Sequence, residues 1–447
     1  MKARLSSHFA ELLNQKRGFL PLLIGDIVST TGFAVFLVST NYLVFTTTYS
    51  ALAITYVGIV SFVPTIVFGL FAGAFVDRSN RRHVMIICDI ARALIVAIIP
   101  IWMILKGFDL TVIIAVALLV NVFSTIFRPA ARSIMPQIVQ TSWIQDANGL
   151  MSALESLANS ASLAFGGAMI VALGASLSLF YNSFTYLISA CMIFLIIVPS
   201  SLVSERNNAR PIQGPDAIPV SSSSRSAATQ PSRASPEGAE RSRRPPFISD
   251  VRGGMSYLLR HKGILEMTLF ASAVNFFFTL SFNFLVVYVT RFLFEGGFVY
   301  GILLATYSFG SALGALIIGR LNALRYAGKA LITMDIIYGF STLSMIFFRN
   351  TFFAGAMLFV TGFSIGLTIA LYFSVIQTLV PASILGRVVS ADEVGSYASI
   401  PLAQIAGGLL IQTFGIVKDF EIAGVGLILT GLISILLRDF RRIRSVD

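Results

Sequence analysis

Residues 73–82 read GAFVDRSNRR and lie between two long apolar runs, at residues 51–76 and 84–105. Gly73 ends the first run, where a residue without a side chain lets another helix approach closely. Asp77 follows at the edge of the apolar region, where a carboxylate suits the positive N-terminal end of a helix. Three arginines complete the stretch: Arg78, Arg81 and Arg82. This ordered pattern predicts a short charged loop between two membrane-spanning helices.

The chain as a whole is also unusually apolar. Of its 447 residues, 56% are hydrophobic and 12% are charged, whereas a soluble domain carries roughly 25% charged residues. This composition excludes a soluble enzyme, a secreted disulfide scaffold and a disordered protein. Twelve apolar segments are long enough to cross a hydrocarbon core of about 30 Å. They lie at about 19–45, 51–76, 84–105, 110–127, 146–172, 176–200, 264–290, 298–319, 330–348, 352–380, 388–413 and 422–437.

The Lys and Arg residues are distributed unevenly among the breaks between these spans. If the N-terminus is cytoplasmic, only four of the 32 lie in breaks on the outer side: Lys106, Arg291, Arg349 and Lys418. Cytoplasmic loops of membrane proteins carry the excess of positive charge. We therefore predict a multi-pass protein of the cell membrane with both termini in the cytoplasm. The net charge of +11 reflects this topology, so nucleic-acid binding is not needed to explain it.

Two short patterns recur in the first and second sets of six spans. Residues 84–89, VMIICD, open span 3, and residues 330–335, ALITMD, open span 9. A Gly-Gly pair lies at 166–167 in span 5 and at 407–408 in span 11. Internal repeats of this kind are typical of secondary transporters. The predicted fold is an all-α membrane protein with twelve transmembrane helices in two pseudo-symmetric six-helix bundles.

The longest break separates these two sets. Residues 201–250 contain eleven Ser and seven of the fifteen Pro residues, a composition that cannot bury enough apolar surface to fold. We predict a first bundle at 1–200, a flexible cytoplasmic linker at 201–250 and a second bundle at 251–447. Apolar residues with helical spacing between Phe247 and Leu259 predict a short amphipathic helix at the entry to the second bundle.

The loop at 73–82 resembles the signature loop of the major facilitator superfamily, whose pattern is G-x-x-x-D-R-x-G-R-R/K. Asn80 occupies the position of the second Gly, and Asn tolerates the left-handed backbone better than most residues. The resemblance implies a transporter that works by alternating access. It also implies a latch between the loop and the start of span 11, formed by Gly73, Asp77, Arg78, Arg81, Arg82 and Arg387. The alternative is a charge cluster that only sets the topology.

Two further stretches resemble the macrolide-efflux and siderophore-exporter branch of this superfamily. They are RPAAR at 128–132, followed by Pro136, and LGRV at 385–388. The branch implies proton-driven export of drug-like compounds. Two features of drug antiporters differ here: the motif of span 5 keeps Gly-Gly at 166–167 but lacks its Pro, and residues 110–127 contain no Arg.

Two acidic residues inside the spans are candidates for proton coupling. A charge at bilayer depth is costly, so it needs a partner, a wet cavity or a function. Asp26 lies in span 1, which lines the central cavity in the resembled fold, and Glu155 lies in span 5, which faces the other half. We predict that the two share the coupling role. The alternative for each is a structural acid that is solvated, paired or bridging the interface.

The other charges inside the spans are expected to be structural. Asp89 and Arg92 are three positions apart and can pair on one face of a helix. Asp335 occupies the equivalent peripheral span of the second half. Asp392 and Glu393 follow the start of span 11 closely, so capping or gating is the role expected of them.

Polar and aromatic residues at mid-depth form the predicted substrate cavity. Thr30, Phe33 and Asn41 follow Asp26 on span 1 with helical spacing. The other candidates are Asn121, Asn275, Asn283, Tyr372 and Gln377. An aromatic cavity with few fixed charges suits a bulky amphipathic or cationic small molecule. For any single Phe, packing against lipid or a neighbouring helix is the alternative.

The sequence carries no pattern typical of an enzyme. It lacks a P-loop, and its three histidines are scattered, so we expect no cofactor, no metal site and no nucleophile triad. We predict a monomeric secondary transporter that exports drug-like or amphipathic small molecules against proton entry within the lipid bilayer. The alternatives are an uncoupled or differently coupled facilitator for a lipid, siderophore or metabolite, and a non-transporting membrane sensor or scaffold.

Overall fold

The computed structural model describes residues 18–140, 143–196, 247–317, 327–381 and 384–437, in which we number the long helices α1 to α12. Their bounds are α1 Phe19–Thr48, α2 Ala51–Asp77, α3 Arg81–Lys106, α4 Leu110–Ile138, α5 and α6 within Ile144–Phe194, α7 Lys262–Phe282 with continuations Leu285–Val287 and Tyr288–Phe292, α8 Gly297–Ile317, α9 Ala327–Ser344, α10 Thr351–Leu379, α11 Leu385–Tyr397 and Ser399–Phe414, and α12 Ile416–Leu436. The twelve predicted helices are confirmed. In the described part of the chain, nine stretches of helix are long and apolar enough to cross a membrane.

A short helix, Phe247–Arg260, precedes α7 and is called the amphipathic helix below. Its first four residues, 247–250, overlap the end of the predicted linker. Its Gly254 lies against the backbone of Arg387, so the helix packs on the first segment of α11. Linker residues 201–246 lie outside the described residues.

Asn80 begins α3 as its N-cap. Its side-chain oxygen accepts a hydrogen bond from the backbone N–H of His83 at 3.3 Å, and its backbone is extended, with φ −72° and ψ 106°. Asn80 therefore does not adopt the left-handed backbone that Asn would tolerate here. Asn suits the position because its side chain satisfies a free N–H of the first helical turn.

Gly174 separates α5 from α6. Its φ of 78° and ψ of 158° lie in a region that residues with a side chain rarely adopt. Gly415, 241 residues later, separates α11 from α12 with almost the same angles, φ 82° and ψ 169°. The same offset relates the two Gly-Gly pairs at 166–167 and 407–408. The sequence repeat therefore corresponds to a repeated backbone turn.

The two halves also repeat the same helix neighbours. In the first half, α1 packs against the α5–α6 pair, α2 against α4, and α3 against α4 and α6. In the second half, α7 packs against α11 and α12, α8 against α10, and α9 against α10 and α12. Each half has its own buried core, around Met85 and Ile134 in the first and around Leu371 and Ile376 in the second. The predicted pair of pseudo-symmetric bundles is confirmed.

The halves meet at the end of the molecule where α1 turns into α2 and α7 turns into α8, called the closed end below. There α5 packs against α8 and α2 against α11. A shared core contains Phe45 and Ile54 from the first half and Phe284 and Leu304 from the second. This end therefore joins two bundles that otherwise have separate cores.

Specific polar and aromatic contacts reinforce the closed end. The Thr55 hydroxyl donates a hydrogen bond to the carbonyl oxygen of Gln404 at 3.1 Å. The rings of Tyr42 and Tyr300 stack with centroids 5.8 Å apart. The Arg291 guanidinium donates to the carbonyl oxygen of Tyr49. These contacts cross from one bundle to the other within about three helical turns of the closed end.

Candidate transport site

The polar stripe predicted on α1 is present as a partly exposed face of this helix. Asp26, Thr30, Phe33 and Asn41 are half-buried. Most of the positions between them, such as Val35, are buried against the rest of the bundle. A half-buried face on a helix that is otherwise packed is what a cavity wall requires.

Asp26 and Glu155 lie together. Their carboxyl groups are within hydrogen-bond distance of each other, although 129 residues separate them in the sequence. The packing of α1 against the α5–α6 pair brings them to one place. The two residues selected separately as proton-coupling candidates therefore form a single pair of carboxyl groups.

Arg92 on α3 carries a positive charge close to this pair. It lies within electrostatic range of Asp26 and forms the predicted ion pair with Asp89. Only 4% of Arg92 is exposed, and its guanidinium carbon lies 4.3 Å from the ring centroid of Phe127 and 4.4 Å from that of Tyr186. Two aromatic faces and a carboxylate thus hold the cation in the bundle interior.

Sequence reasoning gave Arg92 a structural role and did not connect it with Asp26. The signal available in the sequence was the absence of Arg from residues 110–127, with Arg92 on the preceding span. The structure brings α3 and α4 together at this level, where the Arg92 guanidinium donates to the Ser124 hydroxyl at 3.5 Å. The buried cation therefore comes from α3. This helix packs against α4, the span in which drug antiporters carry their Arg.

Two of the predicted cavity residues meet across the halves. The side-chain amide of Asn41 donates to the side-chain oxygen of Asn283 at 3.5 Å. Asn283 directly follows the first segment of α7, so this contact joins α1 to α7 near the closed end. The pair lies where the two bundles converge.

The remaining cavity candidates are dispersed. Asn121 donates its side-chain amide to the carbonyl oxygen of Ala117 on its own helix. Asn275 donates to the backbone carbonyl of Ser396, and Tyr372 donates its hydroxyl to Asp392, both on α11. Gln377 is exposed on α10. Asn275 and Tyr372 therefore make their hydrogen bonds inside the second bundle.

The charged loop contacts its own half through Arg82. The guanidinium of Arg82 donates to the backbone carbonyls of Ile193 and Phe194 at the end of α6, and its guanidinium carbon lies 5.3 Å from the Phe194 ring centroid. A cation at this point suits the negative C-terminal end of a helix. Arg78 is exposed after the end of α2, and Arg81 is half-buried.

The predicted latch to α11 is not tested by these contacts. Arg387 is exposed on the first turn of α11, where its backbone meets Gly254. The side chain of Asp77 and the surroundings of Gly73 lie outside what the structure describes. The latch stays a prediction.

A buried acid that sequence reasoning missed lies in α12. The predicted spans at 388–413 and 422–437 leave Asp419 in the break between them. The helix begins at Ile416, so Asp419 lies in its first turn and is fully buried. Neither carboxyl oxygen of Asp419 forms a hydrogen bond, and the same holds for Asp335 on α9. In the described residues, no three His, Cys, Asp or Glu side chains are grouped as metal ligands.

Comparison with known proteins identifies the family to which this chain is similar. Residues 22–303 match the family described as Major Facilitator Superfamily, and residues 236–446 match the family described as Transmembrane secretion effector. The multidrug efflux pump Tap of Mycolicibacterium fortuitum is 25% identical and aligns over 98% of this chain and 99% of its own. Macrolide efflux protein A of Streptococcus pyogenes is 21% identical, and the alignment covers 96% of this chain and 98% of that protein.

Solved structures show the same fold. The nucleoside transporter NupG, solved as its D323A mutant, superposes with a TM-score of 0.62 at 12% sequence identity. The superposition covers 94% of this chain and 99% of that one. At this level of identity the similarity concerns the arrangement of helices.

Proposed function

Because the chain belongs to the major facilitator superfamily and is a multi-pass membrane transporter, we propose that it exports amphipathic, drug-like compounds in exchange for protons. Transport proceeds by alternating access of a central cavity between the two bundles. The relatives Tap and macrolide efflux protein A, whose names describe drug efflux, support the class of substrate.

The pair formed by Asp26 and Glu155 carries the proposal. Two carboxyl groups can share a hydrogen bond only when one of them holds a proton, so the pair is a binding place for a single proton. Both residues are half-buried, and Asp26 belongs to the partly exposed stripe of α1. A proton gained or lost here changes the charge beside that stripe, where a cationic or amphipathic compound would bind.

Arg92 supports this role by balancing the charge of the pair. After the proton leaves, the carboxylates of Asp26, Glu155 and Asp89 face a single buried cation. The cation makes the deprotonated state accessible inside an apolar bundle, where unpaired carboxylates would be too costly. We infer that Arg92 is a positioning residue for the proton pair.

The closed end supports alternating access. Lys106, Arg291, Arg349 and Lys418, the four cations predicted to be extracellular, all lie at or next to this end. With that topology, the conformation described here is closed outside, and the proton pair faces the cytoplasmic half of the molecule. The opposite conformation requires the contacts between Thr55 and Gln404 and between Tyr42 and Tyr300 to separate.

Transport by purified protein in proteoliposomes tests the proposal, with a macrolide and a cationic fluorescent dye as probes. We expect an imposed pH gradient to drive probe movement by the unchanged protein. Asp26→Asn and Glu155→Gln should each abolish the gradient-driven part. The double variant should lose no more than either single variant, because the two carboxyl groups act as one unit.

Glu421→Gln is the matched control. It makes the same chemical change at an exposed carboxylate that is distant from the proton pair in the sequence. The Glu421 Oε2 atom lies 2.6 Å from the Nζ atom of Lys418. Gradient-driven transport should stay at the original level in this variant. Undiminished gradient-driven transport in the Asp26→Asn, Glu155→Gln double variant would refute coupling through the pair. Probe movement that ignores the gradient in the unchanged protein would indicate an uncoupled facilitator.

A further inference from the structure

The amphipathic helix joins α7 through a turn whose side chains are exposed. Leu259 is 58% exposed, and Arg260, His261 and Lys262 after it are exposed as well. Arg260 ends the amphipathic helix, and Lys262 begins α7. We call residues 259–262 the basic turn. It presents one apolar side chain, two cations and a histidine at the place where two helices meet.

The histidine holds the basic turn in one conformation. The ring of His261 stacks on that of Tyr257 with centroids 3.7 Å apart. Its Nδ1 atom lies 2.8 Å from the carbonyl oxygen of Tyr257 and donates to it, because a carbonyl oxygen only accepts. The backbone N–H of His261 donates to the same oxygen at 3.1 Å. The two neighbouring cations are therefore carried on a well-defined corner of the backbone.

The other face of the amphipathic helix packs on the second bundle. Leu258 is 3% exposed and belongs to the core that contains Val388 of α11. Gly254, four positions earlier on the same face, lies so close to Arg387 that a Cβ atom would overlap its carbonyl oxygen. Arg260 follows Leu258 by two positions, which places it on the opposite side of the helix. The bundle contact thus turns Arg260 away from the protein.

The basic turn lies at the level where lipid headgroups begin. Lys262 is the first residue of α7, and the apolar run of this span starts at Ile264. Residues 251–265 contain two arginines, one lysine and no acidic residue. In the predicted topology this end of α7 is cytoplasmic. Basic segments next to the cytoplasmic end of a span are attracted to anionic lipids.

The two cations of the basic turn are available for a partner. Among the described residues, neither Arg260 nor Lys262 forms a hydrogen bond, an ion pair or a cation–π contact. Glu266, the next acid in the sequence, is half-buried and is not free either. The exposed Leu259 beside the cations adds an apolar contact, as in helices that lie in the membrane interface.

We propose that the basic turn is a docking surface for the anionic phospholipid headgroups of the cytoplasmic leaflet. The Arg260 guanidinium donates hydrogen bonds to phosphate oxygens of the lipid, and the Lys262 ammonium adds a second positive charge. Leu259 inserts beside the first carbons of the acyl chains. A zwitterionic lipid offers the same phosphate but carries its own cation, so the surface selects lipids with a net negative charge.

The bound headgroup would also hold the start of α11. The amphipathic helix packs on the first segment of α11 through Gly254 and Leu258, so fixing one at the membrane surface fixes the other. Hydrogen exchange of backbone N–H groups in residues 247–260 and 385–397 should therefore be slower in nanodiscs that contain phosphatidylglycerol than in nanodiscs of phosphatidylcholine. The difference should disappear in the Arg260→Gln, Lys262→Gln double variant.

Quenching by brominated lipids tests the surface directly. The reporter is Leu259→Trp in a chain that carries Trp102→Phe and Trp143→Phe, so that the new indole is the single fluorophore of its kind. Vesicles of phosphatidylcholine contain an increasing fraction of brominated phosphatidylglycerol or of brominated phosphatidylcholine. We expect the relative association constant to favour phosphatidylglycerol by about fivefold or more, since one Lys or Arg near an anionic surface contributes about that factor. Arg260→Gln, Lys262→Gln should bring the ratio close to one.

Arg349→Gln, Lys418→Gln is the matched control, because it removes one exposed Arg and one exposed Lys from the closed end. It should leave the preference unchanged. Equal quenching by the two lipids in the reporter protein would overturn the proposal, and so would a preference that survives Arg260→Gln, Lys262→Gln. A preference abolished by inorganic phosphate, but not by sodium chloride of equal ionic strength, would indicate a site for a soluble anion and would also overturn it. No transport is measured, so the result is independent of proton exchange.

Discussion

Arg92 shows how a single residue brings charge into an apolar bundle. Its guanidinium lies between the rings of Phe127 and Tyr186 and pairs with Asp89. A cation–π contact contributes about 0.5–2 kcal/mol, whereas breaking a buried ion pair by removing one partner costs about 3–5 kcal/mol. The ion pair is therefore the larger contribution, and the aromatic rings mainly set where the cation lies.

Arg92→Leu should destabilise the protein by about 3–5 kcal/mol, because it leaves the carboxylate of Asp89 buried without a partner. The double variant Asp89→Leu, Arg92→Leu should recover most of this loss, since it leaves no charge behind. Thermal unfolding in detergent measures both effects as changes in Tm.

Arg349→Leu is the control for this comparison. Arg349 is exposed and lies over the rings of Phe292 and Phe294 at 5.1 and 5.5 Å, so its loss should cost no more than about 1 kcal/mol. Equal losses of stability in Arg92→Leu and Arg349→Leu would contradict the importance assigned to the buried pair.

At the scale of helices, α5 and α8 touch backbone to backbone. A Cβ atom on Gly167 would overlap the Cα atom of Gly301, and a Cβ atom on Gly301 would lie 2.9 Å from the Cα atom of Gly167. Small residues allow such close packing in membranes, where van der Waals contact is a main source of helix association. This crossing lies near the closed end, so its tightness bears on whether that end can close.

Gly301→Ala should shift the protein away from the conformation closed at this end, because the two backbones can no longer approach. Spin labels on cysteines introduced at Tyr49 and Phe294, both exposed at the closed end in different halves, report the separation. Cys191 is exposed and is first replaced by Ser, whereas Cys88 is buried. We expect a longer average distance between the labels.

Gly355→Ala provides the comparison for the α5–α8 variant. A Cβ atom on Gly355 would meet the Leu303 side chain at 3.7 Å, an ordinary contact, so the label distance should not change. An unaltered distance in Gly301→Ala would mean that the glycine crossing does not control the closed end.

At the scale of the whole molecule, two bundles with separate cores share a third core at the closed end. Each bundle repeats the helix neighbours of the other, and the turns at Gly174 and Gly415 have nearly equal backbone angles. The proposed alternating access needs such an arrangement, because each bundle would keep its own buried contacts when the shared ones separate.

Deleting residues 206–244 should leave gradient-driven transport at the level of the full chain. The Ser- and Pro-rich composition predicts a tether that cannot bury enough apolar surface to pack against either bundle. The proteoliposome assay with the same probes measures this. Loss of transport with normal insertion of both bundles would show that the linker does more than connect them.

The fold was largely predictable because membrane helices depend on local hydropathy. Twelve spans, their pairing into two halves and the helix before α7 all follow from composition along the chain. The prediction was wrong at the start of the last helix, where the polar residues around Asp419 obscured its first turn. Helix ends are set by capping and burial, which hydropathy does not report.

Less of the candidate site was predictable. Asp26 and Glu155 were selected separately by their depth in the bilayer, and Asp89 and Arg92 by their spacing. The absence of Arg from residues 110–127 was an indirect signal for Arg92, and no pattern assigned Tyr372 to Asp392, because these contacts depend on which helices pack together.

The sequence by itself determined that this chain crosses the membrane in two matched sets of six helices, since the free energy of burying apolar residues in lipid is a local property. Only the tertiary structure decided that Asp26 and Glu155 share one place beside Arg92, and that Asp392 accepts hydrogen bonds from Tyr372 and Thr268. The physical reason is that a buried charge is tolerated only with partners, and in a helical bundle those partners come from helices far apart in the chain.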